Sequence, residues 1–269
     1  MHRLALTACA ALVAATALHA QTFATHPCNN NSDDRGAIAR FFGGDEQTCE
    51  LRTTTFALVS GHLNVNAENG GIEVIGQDRS DIALEARVSA RAGSQSEAAS
   101  LLHEVTIQTG AIVEAHGPRP VSGHGWSVGY KLLVPRQLAA KFHTLNGNLS
   151  LTALNGAIDG ETTNGGLHLE DLAGDVHVRT TNGGISANLE GNTWQGTGLS
   201  VKAVNGGVSV SVSHAYSAHL VASTVNGGIS VNIPGANQSE VHRHSVDTNL
   251  GSGGPTISFE TVNGGVSIH

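Results

Sequence analysis

The chain has 269 residues, a formal charge of −8 from 22 acidic and 14 basic side chains, and 34 glycines against 4% aromatic residues. So few cations leave no basic stripe for a phosphate backbone, which excludes nucleic-acid binding as a reading. The glycines recur in register with Val, Ile and Leu, a pattern of folded core rather than of disorder.

Residues 1–20 read as a secretory signal. Arg3 supplies the positive flank, residues 4–18 the apolar stretch, and "ALHA" ahead of Gln21 a small-residue cleavage site after Ala20 or Ala17. Those fifteen apolar or small residues fall short of the ~20 that a membrane span needs. "LTAC", ending at Cys9, looks like an acylation box, but only about five apolar residues precede it, so lipidation is the lesser reading. The implied destination is outside the cytoplasm: periplasm, surface or medium.

Residues 21–54 read as an irregular polar leader. Cys28 and Cys49 remain after signal removal, and an even pair in an exported chain implies one disulfide closing a loop that contains "NNNSDDRG". A redox or metal pair is the rival, without CxxC spacing or a set of His partners.

Residues 55–142 read as a β segment with one helix, continuous with the repeats that begin at residue 143. "FALVSGHLNVNAENGGIEVIG" alternates on either side of Asn69-Gly70-Gly71, two strands about a turn. "DIALEARVSARA" keeps period two. The spacing in "SQSEAASLLHEV" predicts a helix over 95–104, capped by Ser94 or Ser96, with Leu101 and Leu102 facing the core. "VTIQTGAIVEA" and "WSVGYKLLVP" are further strands, separated by a loop with Pro118, Pro120 and "VSGHG".

From residue 143 to 269 the chain repeats in blocks of nine: HTLNGNLSL, TALNGAIDG, ETTNGGLHL, EDLAGDVHV, RTTNGGISA, then KAVNGGVSV, STVNGGISV and ETVNGGVSI after insertions. Asn146, Asn155, Asn164 and Asn182 follow the grid, with Ala173 where another Asn would fall; Asn205, Asn226 and Asn263 are spaced more widely. Asn and Gly tolerate positive φ, so each pair suits a sharp bend. Flanking aliphatics share one strand face, while the residue between them (His168, His177, Ser186, Ser209, Ser230) is polar and points the other way. A hairpin meander would use each NG as an antiparallel turn. A β-solenoid would use it as a corner, two blocks making a coil of about 18 to 22 residues. Near-identical blocks favour the solenoid, because like residues then stack on like. The expected fold is all-β, a parallel β-solenoid with corners at Asn69 and the seven asparagines of the blocks.

These "TxNGGIxV" blocks, preceded by "YKLLVP" and "NGGIEVIGQDRSDIALEA", resemble the adhesin family also called domain of unknown function 4097, over most of residues 56–269. The resemblance implies a β-solenoid or toast-rack-like fold in bacterial envelope or secreted proteins, and no catalytic residues.

Thirteen of the 15 histidines remain after signal removal. His242 and His244 would share a side of an extended segment and are weak metal candidates, short of the three or four ligands of a tetrahedral site even with Glu240. His168 and His177 belong to opposite faces of a coil; His214 and His219 read as solvated. Asp159, Glu161, Glu170, Asp171 and Asp175 cluster in sequence, and a carbohydrate-active β-helix enzyme would need two of them to converge. Nucleophile-elbow and HExxH signatures are absent. The leading expectation is a non-catalytic, cofactor-free adhesin-like module binding an envelope polymer, glycan or protein through a repetitive polar β surface. The enzyme is the alternative, with a periplasmic metal-binding protein third. The block "ETVNGGVSIH" is expected to leave an open strand edge at which copies could associate.

Overall fold

Alternation builds the stack one rung at a time. In β3 (His62–Asn69), Leu63, Val65 and Ala67 are buried while the residues between them face outward. The chain turns through Gly70 and Gly71 into β4 (Ile72–Gln77), where Ile72 and Val74 enter the same core from the opposite sheet. A computed structural model describes residues 22–28, 46–58, 61–121, 123–233 and 240–269. The expected signal at 1–20 and the "NNNSDDRG" loop lie outside the described residues.

The same corner recurs between β9 (Ala139–Asn146) and β10 (Leu149–Thr152), β11 (Asn155–Asn164) and β12 (Leu167–Glu170), and β13 (Ala173–Asn182) and β14 (Ile185–Leu189). It recurs again between β15 (Gly198–Asn205) and β16 (Val208–Val212), β17 (Ala218–Asn226) and β18 (Ile229–Val231), and β20 (Thr256–Asn263) and β21 (Val266–Ile268). The first strand of each pair joins sheet B, the second sheet A, and rungs pair in parallel with like residues in register: Ile158 on Val176, Thr162 on Thr180, Leu167 on Ile185. The result is a parallel β-solenoid of toast-rack form, mostly strand, rather than a hairpin meander. Buried aliphatics from both sheets, with Phe142, Phe259 and Trp194, form one continuous core along it.

Antiparallel strands close the first end. In sheet A, β1 (Ala24–Pro27), β2 (Glu46–Ala57), β5 (Asp81–Ala92) and β8 (Gly125–Pro135) pair antiparallel before β8 meets β4 in parallel. In sheet B, β7 (Ile112–His116) pairs β3, and β6 (Thr106–Gln108) ends the sheet. Helix α1 (Gln95–Glu104) starts at Ser94, whose Oγ accepts the Glu97 N–H, and buries Ala98 and Leu102. Leu101, also expected in the core, is only partly buried against it. Arg52 donates to the carbonyls of Leu102, at 2.8 Å, and Val105, tying the helix end to β2. The leader is therefore not wholly irregular: β2 lies along the full length of β5. Its Thr53-Thr54-Thr55 run has the β-branched character of a strand, which polar composition masks. Cys28 and Cys49 are disulfide-bonded, with Cα atoms 5.8 Å apart, joining the end of β1 to β2.

Order in space departs from order in sequence at the other end. After β16 the chain skips a level to make β17 and β18, then forms β19 (Ser245–Leu250) antiparallel to β17, and only then lays β20 and β21 into the vacant level. The final block does not supply the open edge expected of it: β21 lies between β16 and β18. Sheet A ends on β18, whose Ile229 N–H donates to the Arg243 carbonyl at 3.0 Å. The rungs from β9 to β16 stack in chain order, and only the last two levels exchange places.

The corners show why the motif is so strict. A Cβ on Gly147, Gly165, Gly183, Gly206, Gly227 or Gly264 would stand about 2 Å from the carbonyl oxygen of the neighbouring rung's glycine. Positive φ is not the cause, contrary to expectation. Apart from Gly70, these corner glycines are not among the residues with positive φ, whereas Ala153 and Asp171, at the opposite corner, are. Beneath five of the seven corners a buried threonine hydroxyl donates to the glycine carbonyl one rung away: Thr144 to Gly70, Thr162 to Gly147, Thr180 to Gly165, Thr261 to Gly206 and Thr224 to Gly264, all at 2.8–2.9 Å; Ala67 and Ala203 stand at the other two. Outside it the asparagine amides form a continuous ladder, each Nδ2 donating to the next Oδ1 in the order Asn226, Asn263, Asn205, Asn182, Asn164, Asn146, Asn69, at 2.8–2.9 Å.

Gly183→Ala, whose Cβ would stand 2.0 Å from the Gly165 oxygen, should cost about 3 kcal/mol or more of unfolding free energy in denaturant titrations. Gly228→Ala, which meets nothing within 4 Å, should stay within about 1 kcal/mol of the parent; equal effects would contradict the close-approach explanation. Asn182→Ala removes two ladder bonds and should cost about 1 kcal/mol, Asn226→Ala at the ladder's end about half as much. Indistinguishable values for the two would mean that the ladder does not act through its neighbours.

Candidate functional site

With most apolar side chains committed to the interior, and Leu145, Val204, Val225 and Val262 left exposed beside the asparagines, what the stack can offer a partner is its two outer faces and its edges. On sheet A the residues between the buried aliphatics align across seven strands: Glu73, Ser150, His168, Ser186, Ser209, Ser267 and Ser230. Beside them runs a column of corner glycines. Together they make a shallow trough of about 590 Å³ lined by Gly184, Ser186, Gly207, Ser209, Gly228 and Ser230, among others. Its serine stretch carries no charge. Rungs spaced about 4.8 Å apart repeat the same hydroxyl and the same exposed backbone.

Sheet B presents ions instead. Lys141, Asp159 and His177 share one row, and His143, Glu161, Arg179, Lys202 and Glu260 the next. Glu161 and Arg179 pair at 2.7 Å, Lys202 and Glu260 at 2.9 Å, and Lys141 and Asp159 at 3.9 Å. The five carboxylates that cluster in sequence divide between surfaces. Asp159, Glu161 and Asp175 lie on sheet B, Glu170 on sheet A, and Asp171 at the corner opposite the asparagines. Asp175 contacts His177 at 3.1 Å, Glu170 contacts His168 at 3.7 Å, and Asp171 contacts Arg136 at 3.7 Å. Asp159 and Glu161, two residues apart on one strand, have a separation of about 6.6 Å that would suit a glycosidase pair. Their environment does not. The hydrogen bond from Arg179 holds the Glu161 carboxyl below the usual carboxylate range, opposite to the shift a general acid needs.

His168 and His177 stand on opposite sheets, and His214 is exposed in the connection to β17. His219 has partners that spacing could not reveal: its Nε2 lies 2.9 Å from Asp247 Oδ1 and its Nδ1 3.4 Å from Thr256 Oγ1. That trio spans β17, β19 and β20. Unlike a nucleophile's relay, it leaves the Asp247 side chain 77% exposed, where a carboxylate orients an imidazole poorly. His242 and His244 do not lie on an extended strand, because the His242 N–H donates to the Ser245 carbonyl at 3.0 Å in a tight turn. Among the described residues no three His, Cys, Asp or Glu side chains gather in a metal-binding group. A second recess of about 460 Å³ lies between α1 and the loop before β8, walled by Leu101, Pro118 and Trp126.

Of the asparagines expected at corners, Asn69, Asn146, Asn164, Asn182, Asn205, Asn226 and Asn263 form the ladder. Asn155 does not: it begins β11 at the opposite corner, in register with Ala173. The grid of nine counts half-coils, so alternate positions fall on opposite edges. Sequence spacing did not single out the threonine column, although its signal is the first residue of each T-x-N-G-G.

Residues 137–269 match the family described as Toastrack DUF4097. No curated protein matches the chain. Among solved structures it is similar to a "putative cell adhesion protein" from Clostridium sporogenes ATCC 15579, at 12% identity and a TM-score of 0.41, over 83% of this chain and 99% of that one. Two adhesins, likewise named as putative, are also similar. The one from Parabacteroides distasonis ATCC 8503 is 10% identical with a TM-score of 0.36, over 81% of this chain and 97% of its own. The one from Bacteroides fragilis NCTC 9343 is 11% identical with a TM-score of 0.34, over 81% and 95%. The family match takes in the part of the stack that runs from β9 to β21.

Proposed function

We propose that the protein is an exported, non-catalytic, adhesin-like module of the cell envelope that binds an extended polar polymer, a glycan in the first instance, along the outer face of sheet A. One observation carries the reading: Ser186, Ser209, Ser267 and Ser230 stand in register on adjacent strands, beside glycines that leave the backbone open to approach. Short side chains let a chain of sugar rings lie close to the sheet. Serine hydroxyls can both donate to and accept from sugar hydroxyls. Each such bond contributes little, so affinity would come from repetition, as in any multivalent contact. The catalytic alternative is disfavoured by carboxylates that are divided between faces, with Glu161 paired to Arg179.

The test is retention on purified peptidoglycan and envelope polysaccharides. The parent protein should be retained at least about ten-fold above an unrelated β protein, a difference of roughly 1.4 kcal/mol. Ser209→Tyr, which fills the trough, should abolish that excess, while His177→Tyr on sheet B should leave it intact. No retained polymer, or equal loss in both variants, would overturn the assignment.

A further inference from the structure

The level filled by β20 and β21 is a slot with two ready-made walls. On one side stand β15 and β16, on the other β17 and β18, all made of residues that precede β20 in the chain. Until residues 256–268 enter, both walls present parallel strand edges with unpaired backbone groups. The incoming segment satisfies both at once and buries Ile257, Phe259, Val266 and Ile268 to within 1% of full burial. It also completes the ladder through Asn263, donates the Thr261 hydroxyl to Gly206, and pairs Glu260 with Lys202 at 2.9 Å.

The tether to the rest of the chain is short and pliant. Residues 251–255, "GSGGP", carry it from β19 across the end of β17, with Gly251 at φ 54° and Gly253 at φ 76°. Few contacts hold that link: the Ser252 N–H to Ser217 Oγ at 3.3 Å, the His219 N–H to the Pro255 carbonyl at 3.1 Å, and the Gly253 N–H to the Leu250 carbonyl at 2.9 Å. Nothing in the slot distinguishes a segment from its own chain from the same segment of a second copy.

We infer that β20–β21 is an exchangeable insert, and that two copies of this protein join by reciprocally donating residues 256–268 into each other's slot. The exchanged pair keeps every strand pairing within the slot and alters only the path of residues 251–255, the condition under which swapping of an identical element costs little. A five-residue tether holds the insert near its own slot at an effective concentration in the millimolar range. Self-insertion therefore wins in dilute solution, and exchange takes over when the segment folds among many copies.

The experiment uses the full chain and cross-rung cysteines. Ser209 and Ser267 are Cα partners on the exposed face of β16 and β21, about 4.8 Å apart across parallel strands, within disulfide reach. The double variant S209C/S267C shows that the pair closes. Chains carrying only S209C and ¹⁵N-labelled chains carrying only S267C are then refolded together, and the 209–267 linked peptide is scored by mass spectrometry. Mixed-isotope links are expected to rise about ten-fold between about 0.1 mM and about 1 mM chain, and to be absent when prefolded chains are mixed. Links confined to the double variant, with none between chains after joint refolding, would overturn the inference. If the serine pair fails to close or to fold, K202C with E260C, partners across β15 and β20, reads the same exchange.

Discussion

At the asparagine corners parallel rungs stack at about 4.8 Å only because the glycine there has no side chain, and this exclusion of a single methyl group organises the molecule. The carbonyl of one corner glycine occupies the place where a Cβ would stand on the glycine of the next rung. Once that approach is made, neighbouring columns are obliged to repeat. The threonine hydroxyl under the corner meets the glycine carbonyl one rung away, the asparagine amide outside it meets its own kind, and aliphatics meet aliphatics in the core. Buried threonine hydroxyls have no water to turn to, so each depends on its neighbouring rung for a partner. Identity along the chain is the record of one spacing kept many times.

A stack of this kind must end, and its ends are where it stops being regular. At the first end antiparallel strands and a helix replace parallel rungs, with Arg52 holding the helix terminus to β2. At the other end β19 lies antiparallel across the margin of sheet B and turns its polar Asp247 and Asn249 outward. Sheet A stops on the short strand β18, a common way of denying a long edge to other chains. Filling the penultimate level last also keeps the segment that completes the ladder away from the margin.

Much of this was legible in the residues. Period-two alternation marked the strands, a serine cap and the Ala/Leu-rich run through Leu101 and Leu102 marked the helix, and the recurrence of Asn-Gly marked corners. What was not legible is physical in origin. Near-equivalent blocks fit one slot as well as another, so chain order could not reveal that β20 sits between β15 and β17. A grid of nine cannot tell one edge from the other, which is why Asn155 appeared to belong with Asn146 and Asn164. Glycine can be required by dihedral angle or by crowding, and only coordinates show that crowding governs most of these corners while Ala153 and Asp171 bear the positive φ. As for the candidate surface, polarity at the outward position could be read from sequence, but the separation of an uncharged serine stretch on sheet A from the ion-paired rows of sheet B could not.

That separation leaves the serine stretch of sheet A free of the cross-rung ion pairs that occupy sheet B, and it is the feature on which the proposed binding role depends. Everything rests on the rungs being stacked in one definite order. Isotope-edited NOE spectroscopy on the asparagine side-chain amides tests this most directly. The account predicts contacts running from Asn69 through Asn146, Asn164, Asn182, Asn205 and Asn263 to Asn226. Contacts joining Asn205 directly to Asn226, or amides with no inter-rung contact at all, would contradict it.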